Sequence, residues 1–183
     1  MVYVLLGNGF EEIEALTQVD YLRRADIEIK TVGLNGKKIT GGHEITVEAD
    51  IEIENIDTAS EVEMVILPGG LRGVAEIKKS EKAKELIHAA WKNKRYIAAI
   101  CAAPSVLAEM GLLKGKNAIC FPGMEHLLIE GGASVVNQAV VIDNNIITAK
   151  AAGSSEKFSF TLIDLLKGKE TARRISESIC AIL

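Results

Sequence analysis

The chain has 183 residues, enough for one domain with a full core. Hydrophobic residues make up 48% and charged residues 25%, an ordinary globular composition. A net charge of −4 with 4% aromatics argues against a nucleic-acid or anionic-membrane surface, and no apolar run is long enough to span a bilayer.

Strand and helix patterns alternate along the chain. Val2 to Leu6 is apolar throughout and predicts a buried strand, entered with no basic region or cleavage site, so a cytoplasmic location is expected. Glu11 to Ala25 carries Ile13, Leu16, Val19 and Leu22 at helical spacing, with acidic residues in its first turn. Ile27 to Leu34 alternates as a strand. Lys37 to Glu54 holds Gly41-Gly42 between strand-like stretches and predicts a hairpin excursion. Met64 to Leu67 is a strand ending in Pro68-Gly69-Gly70. Ser80 to Arg95 is a strong helix with Ser80 as its N-cap.

Tyr96 to Ile100 is a short apolar strand that stops at Cys101. An Ala-rich helical pattern follows at once, with Pro104 where only a first turn tolerates it. A cysteine at such a corner is the sulfur version of a nucleophile elbow, where helix N–H groups favour a thiolate. The residue alone equally allows a small buried hydrophobe. Ala118 to Phe121 predicts a short strand and Gly123 to Ile129 a helix stopped by Gly131-Gly132. Ala139 to Ile142 and Ile146 to Ala149 flank the turn Asp143-Asn144-Asn145. Ser154 to Leu166 and Lys169 to Ile182 are terminal helices broken at Gly168. One doubly wound α/β domain spanning 1–183 is expected, with its ligand site beyond the carboxyl ends of the strands.

Cys101, Cys120 and Cys180 form neither a disulfide framework nor a zinc spacing. Cys120, in an apolar strand, and Cys180, on the apolar face of the last helix with Ile175, Ile179 and Leu183, are expected in the core. Three strand ends can converge: Gly7 to Glu14, Pro68-Gly69-Gly70, and Ile100-Cys101-Ala102. The first is no dinucleotide fingerprint, since Glu12 stands at the third glycine position and the acidic run repels a pyrophosphate. Glu11, Glu12 and Glu14 read either as a solvated helix start or as the source of one carboxyl turned toward the cysteine. Such a carboxyl would hold its proton, because two anions in contact are costly, and could act as general acid or base. Pro68-Gly69-Gly70 reads as a tight turn or as a close backbone approach with N–H groups facing an oxyanion.

Glu11-Glu12-Ile13-Glu14 with Val19 to Ala25, then Leu67-Pro68-Gly69-Gly70, then Ala99 to Pro104, together resemble the ThiJ/PfpI superfamily, and more narrowly the subfamily of the human Parkinson-disease protein and its bacterial relatives. The tail, Ala149 to Ser155 and Leu166 to Glu170, resembles it as well. The resemblance implies a flavodoxin-like three-layer sandwich and a homodimer. It implies that Cys101 is the reactive cysteine, that Glu14 hydrogen-bonds its sulfur, and that Gly70 and Ala102 offer the oxyanion-hole amides. Asp20, Arg24 and His43 would lie at the site rim or the dimer interface, though Arg24 also reads as a solvated surface residue. No cofactor or metal is implied, and no membrane or nucleic-acid partner.

One position departs from the resemblance. Phe121 precedes Pro122 where many members carry a triad histidine, which puts a Cys-His hydrolase mechanism in doubt. Of the three histidines, His88 is expected on a charged surface and His43 in the hairpin, while His126, four residues after Pro122, could swing in toward the site but is expected to be an ordinary surface or packing residue of its helix. The resemblance implies a glutathione-independent glyoxalase or deglycase acting on methylglyoxal, glyoxal or their early adducts through a Cys-Glu dyad. The alternative is an oxidative-stress sensor or redox-regulated chaperone using oxidation of the same cysteine. A peptidase, which leans on the missing histidine, stands third.

Overall fold

The computed structural model describes residues 1–56 and 62–181. Strands β1 (Val2–Leu6), β2 (Ile29–Gly33), β5 (Ile51–Glu52), β6 (Met64–Leu67), β7 (Tyr96–Ile100), β10 (Val140–Asp143) and β11 (Ile146–Ala149) form one sheet in the order β10-β11-β7-β6-β1-β2-β5. All neighbours are parallel except β10 and β11, which pair antiparallel across the expected Asn144-Asn145 turn. Two short ribbons stand apart. The hairpin β3 (Lys38–Thr40) and β4 (Thr46–Glu48) is the predicted excursion, and β8 (Asn117–Ala118) pairs with β9 (Ser134–Val135).

The sheet is covered on both faces, which is why its central strands read as continuous apolar runs. Tyr3, Leu5, Val65, Leu67, Ile97 and Ala99 pack on one side with α2 (Leu71–Lys79), α3 (Glu81–Lys92), α4 (Pro104–Glu109) and α5 (Glu125–Glu130). Val2, Val4, Leu6, Met64, Ile66, Ala98 and Ile100 face the other way, onto α1 (Glu12–Arg24), α6 (Ser155–Lys167) and α7 (Lys169–Ser178). Side chains alternate between faces with period two, so every second residue of each strand joins each core. The result is an α/β three-layer sandwich of flavodoxin-like type, as expected. Among the described residues no helix is long and apolar enough to cross a membrane.

Several elements differ from the sequence reading. Helix α2 was not anticipated, because Gly73 interrupts it and Gly70 provides no side-chain cap. Gly73 is needed there, since a Cβ would stand 2.8 Å from Phe10 Cα. The buried stripe of α1 is rotated from the expected one. Ile13 is 55% exposed, while Glu14, Ala15, Gln18, Val19 and Leu22 face inward. The strand expected at Ala118 to Phe121 ends at Ala118, although Cys120 is fully buried as predicted. Cys180 corrects the expectation of a core position. Helix α7 stops at Ser178, Cys180 takes a left-handed φ of 57°, and its side chain is exposed. Ile182 and Leu183 lie outside the described residues.

Candidate active site

The carboxyl ends of β1, β6 and β7 bring the three loops together. Cys101 follows β7 directly, and its φ of 64° is a strained value for a non-glycine residue. Hydrogen bonds over-determine that turn. The Cys101 amide donates to Ala149 O at 3.0 Å, and its carbonyl accepts from Phe121 N–H at 2.8 Å. Pro104 occupies the first turn of α4 as expected. The amides of Ala102 and Gly70 both hydrogen-bond the sulfur and favour its anion. Because α4 has only six residues, these two local N–H groups, rather than a long helix dipole, supply the positive end.

Glu14 reaches the sulfur from α1 and hydrogen-bonds it. Its side chain is 1% exposed. Oε2 accepts the Gly69 N–H at 2.8 Å, and Oε1 is buried with no protein donor among the described residues. Burial pushes the Glu14 carboxyl up to about 7, against the bonds from Cys101 and Gly69. Burial, then the Glu14 charge and its hydrogen bond, push the Cys101 thiol up to about 12, against the amides of Ala102 and Gly70. The pair therefore retains one proton across the neutral and mildly alkaline range. The donors decide where that proton sits. The sulfur has two amides toward it, while Glu14 Oε1 has no hydrogen-bond partner among the described residues. A proton placed on Glu14 leaves the negative charge on Cys101, where the amides of Ala102 and Gly70 favour it.

Gly69 makes the contact sterically possible. A Cβ there would stand 2.3 Å from Glu14 Oε2 and 2.6 Å from Cys101 Cβ. Gly69→Ala is expected to push the carboxyl and the sulfur apart. We expect at least about tenfold loss of Cys101-dependent activity and a stability loss of roughly 1–3 kcal/mol, read from turnover and urea denaturation of the same preparation. Gly70 has its own constraint, a φ of 85° with Gly9 O 2.3 Å from the position of a Cβ.

The acidic cluster divides its roles. Glu12 is not a solvated helix start. It is 5% exposed and takes the N–H of His43 at 2.7 Å and of Ile45 at 3.4 Å on Oε1, and the His43 ring at 2.9 Å on Oε2. Burial raises its pKa, but these bonds outweigh it and hold the carboxyl below its usual value. The bond to Glu12 and the charges of Glu11 and Glu12 hold the His43 ring above its usual pKa. Glu11, Glu12 and His43 offer ligand atoms within 4.8 Å of one another. Both Glu12 oxygens are already engaged, so the group works as a clamp between α1 and the β3–β4 hairpin.

A cleft of about 530 Å³ opens onto Cys101, with Glu11, Gly70, Ala102, Phe121 and His126 in its wall. His126, expected to be disengaged, corrects that reading by lining this cleft from the exposed side of α5. Phe121 lines it as well. Asp20 and Arg24 pair with each other at 2.8 Å on the exposed face of α1 and do not line the cleft. His43 stands one carboxylate away from it, 3.6 Å from Glu11. His88 is exposed and stacks on Trp91.

Comparisons with known proteins agree with this architecture. The chain is 33% identical over 174 residues to the Parkinson disease protein 7 homolog of Danio rerio, covering 94% of this chain and 92% of that one. The crystal structure of Drosophila melanogaster DJ-1beta matches with a TM-score of 0.95 at 31% identity, covering 100% of this chain and 98% of that chain. A protein of Pyrococcus abyssi named as a deglycase is 28% identical over 166 residues, 91% of this chain and 99% of its own length. The DJ-1/PfpI family matches residues 1–165. With the Cys-Glu pair at the strand ends and likeness over nearly the full length, this chain belongs to the DJ-1/PfpI family.

Proposed function

We propose that the protein is a cysteine-dependent, glutathione-independent glyoxalase or deglycase acting on small 2-oxoaldehydes or their early adducts. The observation that carries this reading is the buried Glu14 carboxyl hydrogen-bonded to a sulfur that two amides also face. The likeness to a deglycase of Pyrococcus abyssi supports it. The Cys101 thiolate adds to the aldehyde carbon, and the carbonyl π pair moves to oxygen, met by the Gly70 and Ala102 amides. Glu14 gives that oxygen its proton and becomes a carboxylate beside the C1–H that the aldehyde brought. It then takes the C1 proton and returns it to C2 while the hydroxyl proton passes from the C1 oxygen to the C2 oxygen, leaving a 2-hydroxy thioester. Water cleaves the thioester to the hydroxy acid and restores the thiolate and the protonated Glu14.

No histidine is needed in this sequence, so Phe121 is compatible with it. The test is D- or L-lactate formation from methylglyoxal without added glutathione. Sustained lactate release supports the reaction, and none from fully reduced protein refutes it.

A second reading, an oxidative-stress sensor, has one observation in its favour: the Glu14 carboxyl beside Cys101 is buried and its pKa is raised to about 7, so it can hold a proton to donate to a sulfinate there. Cys120 is buried and Cys180 is exposed, so peroxide titration is cleanest in a Cys180→Ser background. Selective oxidation of Cys101 there, without lactate formation by the reduced protein, would favour the sensor.

A further inference from the structure

We propose that the Cys101 cleft selects uncharged 2-oxoaldehydes, or their early adducts, that carry an apolar substituent of aromatic size. The inference rests on the aldehyde reading above and names its substrate class. The cleft of about 530 Å³ leaves most of its volume unfilled around methylglyoxal, a molecule of five heavy atoms. Beyond the sulfur its wall is apolar: Leu71, Phe121, Pro122, Met124 and Leu127. Leu71 is 72% exposed and Phe121 45%. They come from different parts of the fold, the first residue of α2 and the loop before α5, yet share one wall with the sulfur. A ligand lying on them removes apolar surface from water, and the Phe121 ring adds a face on which an aromatic substituent can stack.

The charged groups at the cleft set the second condition. Glu11 and His126 are the ionisable wall residues besides Cys101, and no lysine or arginine lines it among the described residues. A phosphate or carboxylate on the substrate would find no fixed counter-charge, and Glu11 would repel it. Phe121 thus gives the mouth of the cleft an apolar surface that can discriminate between substituents. Addition of the aldehyde forms a C–S bond, moves the π pair to oxygen, and leaves on that oxygen the proton held by Glu14.

The test is protection of Cys101 from iodoacetamide by phenylglyoxal, methylglyoxal and glyoxylate, followed by mass spectrometry and normalised to the reaction of each aldehyde with free cysteine. Phenylglyoxal should protect at a concentration at least about tenfold lower than methylglyoxal, with glyoxylate weakest. Phe121→Ala and Leu71→Ala remove exposed side chains and leave the core intact. Each should cut the preference by at least about threefold. Equal protection by the aldehydes, or a preference that both variants retain, would overturn the inference. Protection reads adduct formation and not turnover. Preference without any hydroxy acid would reject the reaction proposed above and leave the substrate class standing, whereas turnover without preference would do the reverse.

Discussion

Replacing Cys101 by Ser is expected to abolish lactate formation from methylglyoxal, a loss of more than about 10³-fold. The oxyanion-hole amides of Gly70 and Ala102 would remain, but a hydroxyl is far less acidic than a thiol, and Glu14 would keep its proton with no anion to attack the aldehyde. The substitution is nearly isosteric at a turn fixed by backbone bonds to Ala149 and Phe121. Circular dichroism and thermal melting should therefore stay close to wild type. Activity within tenfold of wild type in Cys101→Ser would remove the sulfur from the mechanism.

Glu14→Gln should cost about 10²–10⁴-fold in turnover, the range for losing a general acid–base group. The glutamine oxygen can still accept the Gly69 N–H, so the backbone there is retained, but no proton can move between the substrate carbons. The same variant should change how stability depends on pH. A free glutamate titrates near 4.5, and burial holds the folded Glu14–Cys101 pair in its doubly protonated form up to about 7. The folded state thus binds more protons than the unfolded state between those values. This contribution to stability is fully present below 4.5 and is lost as pH rises through about 7. The displacement corresponds to roughly 3 kcal/mol as an upper figure. Urea unfolding at pH 4.5 and pH 8 should show that loss in wild type and not in Glu14→Gln. An identical pH response in the two proteins would mean that Glu14 is not held protonated by burial. If the prediction holds, the reactive pair is maintained against folding stability at working pH.

Much of this architecture could be read from residue order. The apolar runs at Val2–Leu6, Met64–Leu67 and Tyr96–Ile100 are buried on both faces, which is the signature that parallel strands leave in a sequence. Ser80 caps α3 through its hydroxyl, 3.2 Å from the Ala83 amide. The Cys101 corner was legible because strand, cysteine and Pro104 occur in immediate succession. The phase of α1 was not. Apolar spacing put Ile13 on the core face, yet the helix buries Glu14 and Gln18 there, because Glu14 meets Cys101 and Gln18 bonds Ser155 and Ser159 of α6. A tertiary contact outweighed the hydrophobic period. Residue type alone could not tell Glu12 from Glu14, since one clamps a hairpin and the other meets a sulfur from a distant strand. Gly69 read as part of a turn, and its need for hydrogen in place of a side chain shows only when Glu14 and Cys101 close around it. His126 entered the cleft wall because the segment after Cys120 is tied to the elbow by the Phe121 N–H, a long-range bond with no local signal. Cys180 misled because helical periodicity was carried past Ser178, where the chain turns out of α7.

The most direct test of the central claim is the ultraviolet absorbance of the Cys101 thiolate as a function of pH, with Cys101→Ser subtracted. With the shared proton on Glu14, the thiolate should appear as the pair loses its first proton, below the range in which a free thiol ionises. A sulfur that stays protonated through the neutral range and ionises only toward pH 12 would contradict the account, because it would place the proton on Cys101 and leave Glu14 as the anion.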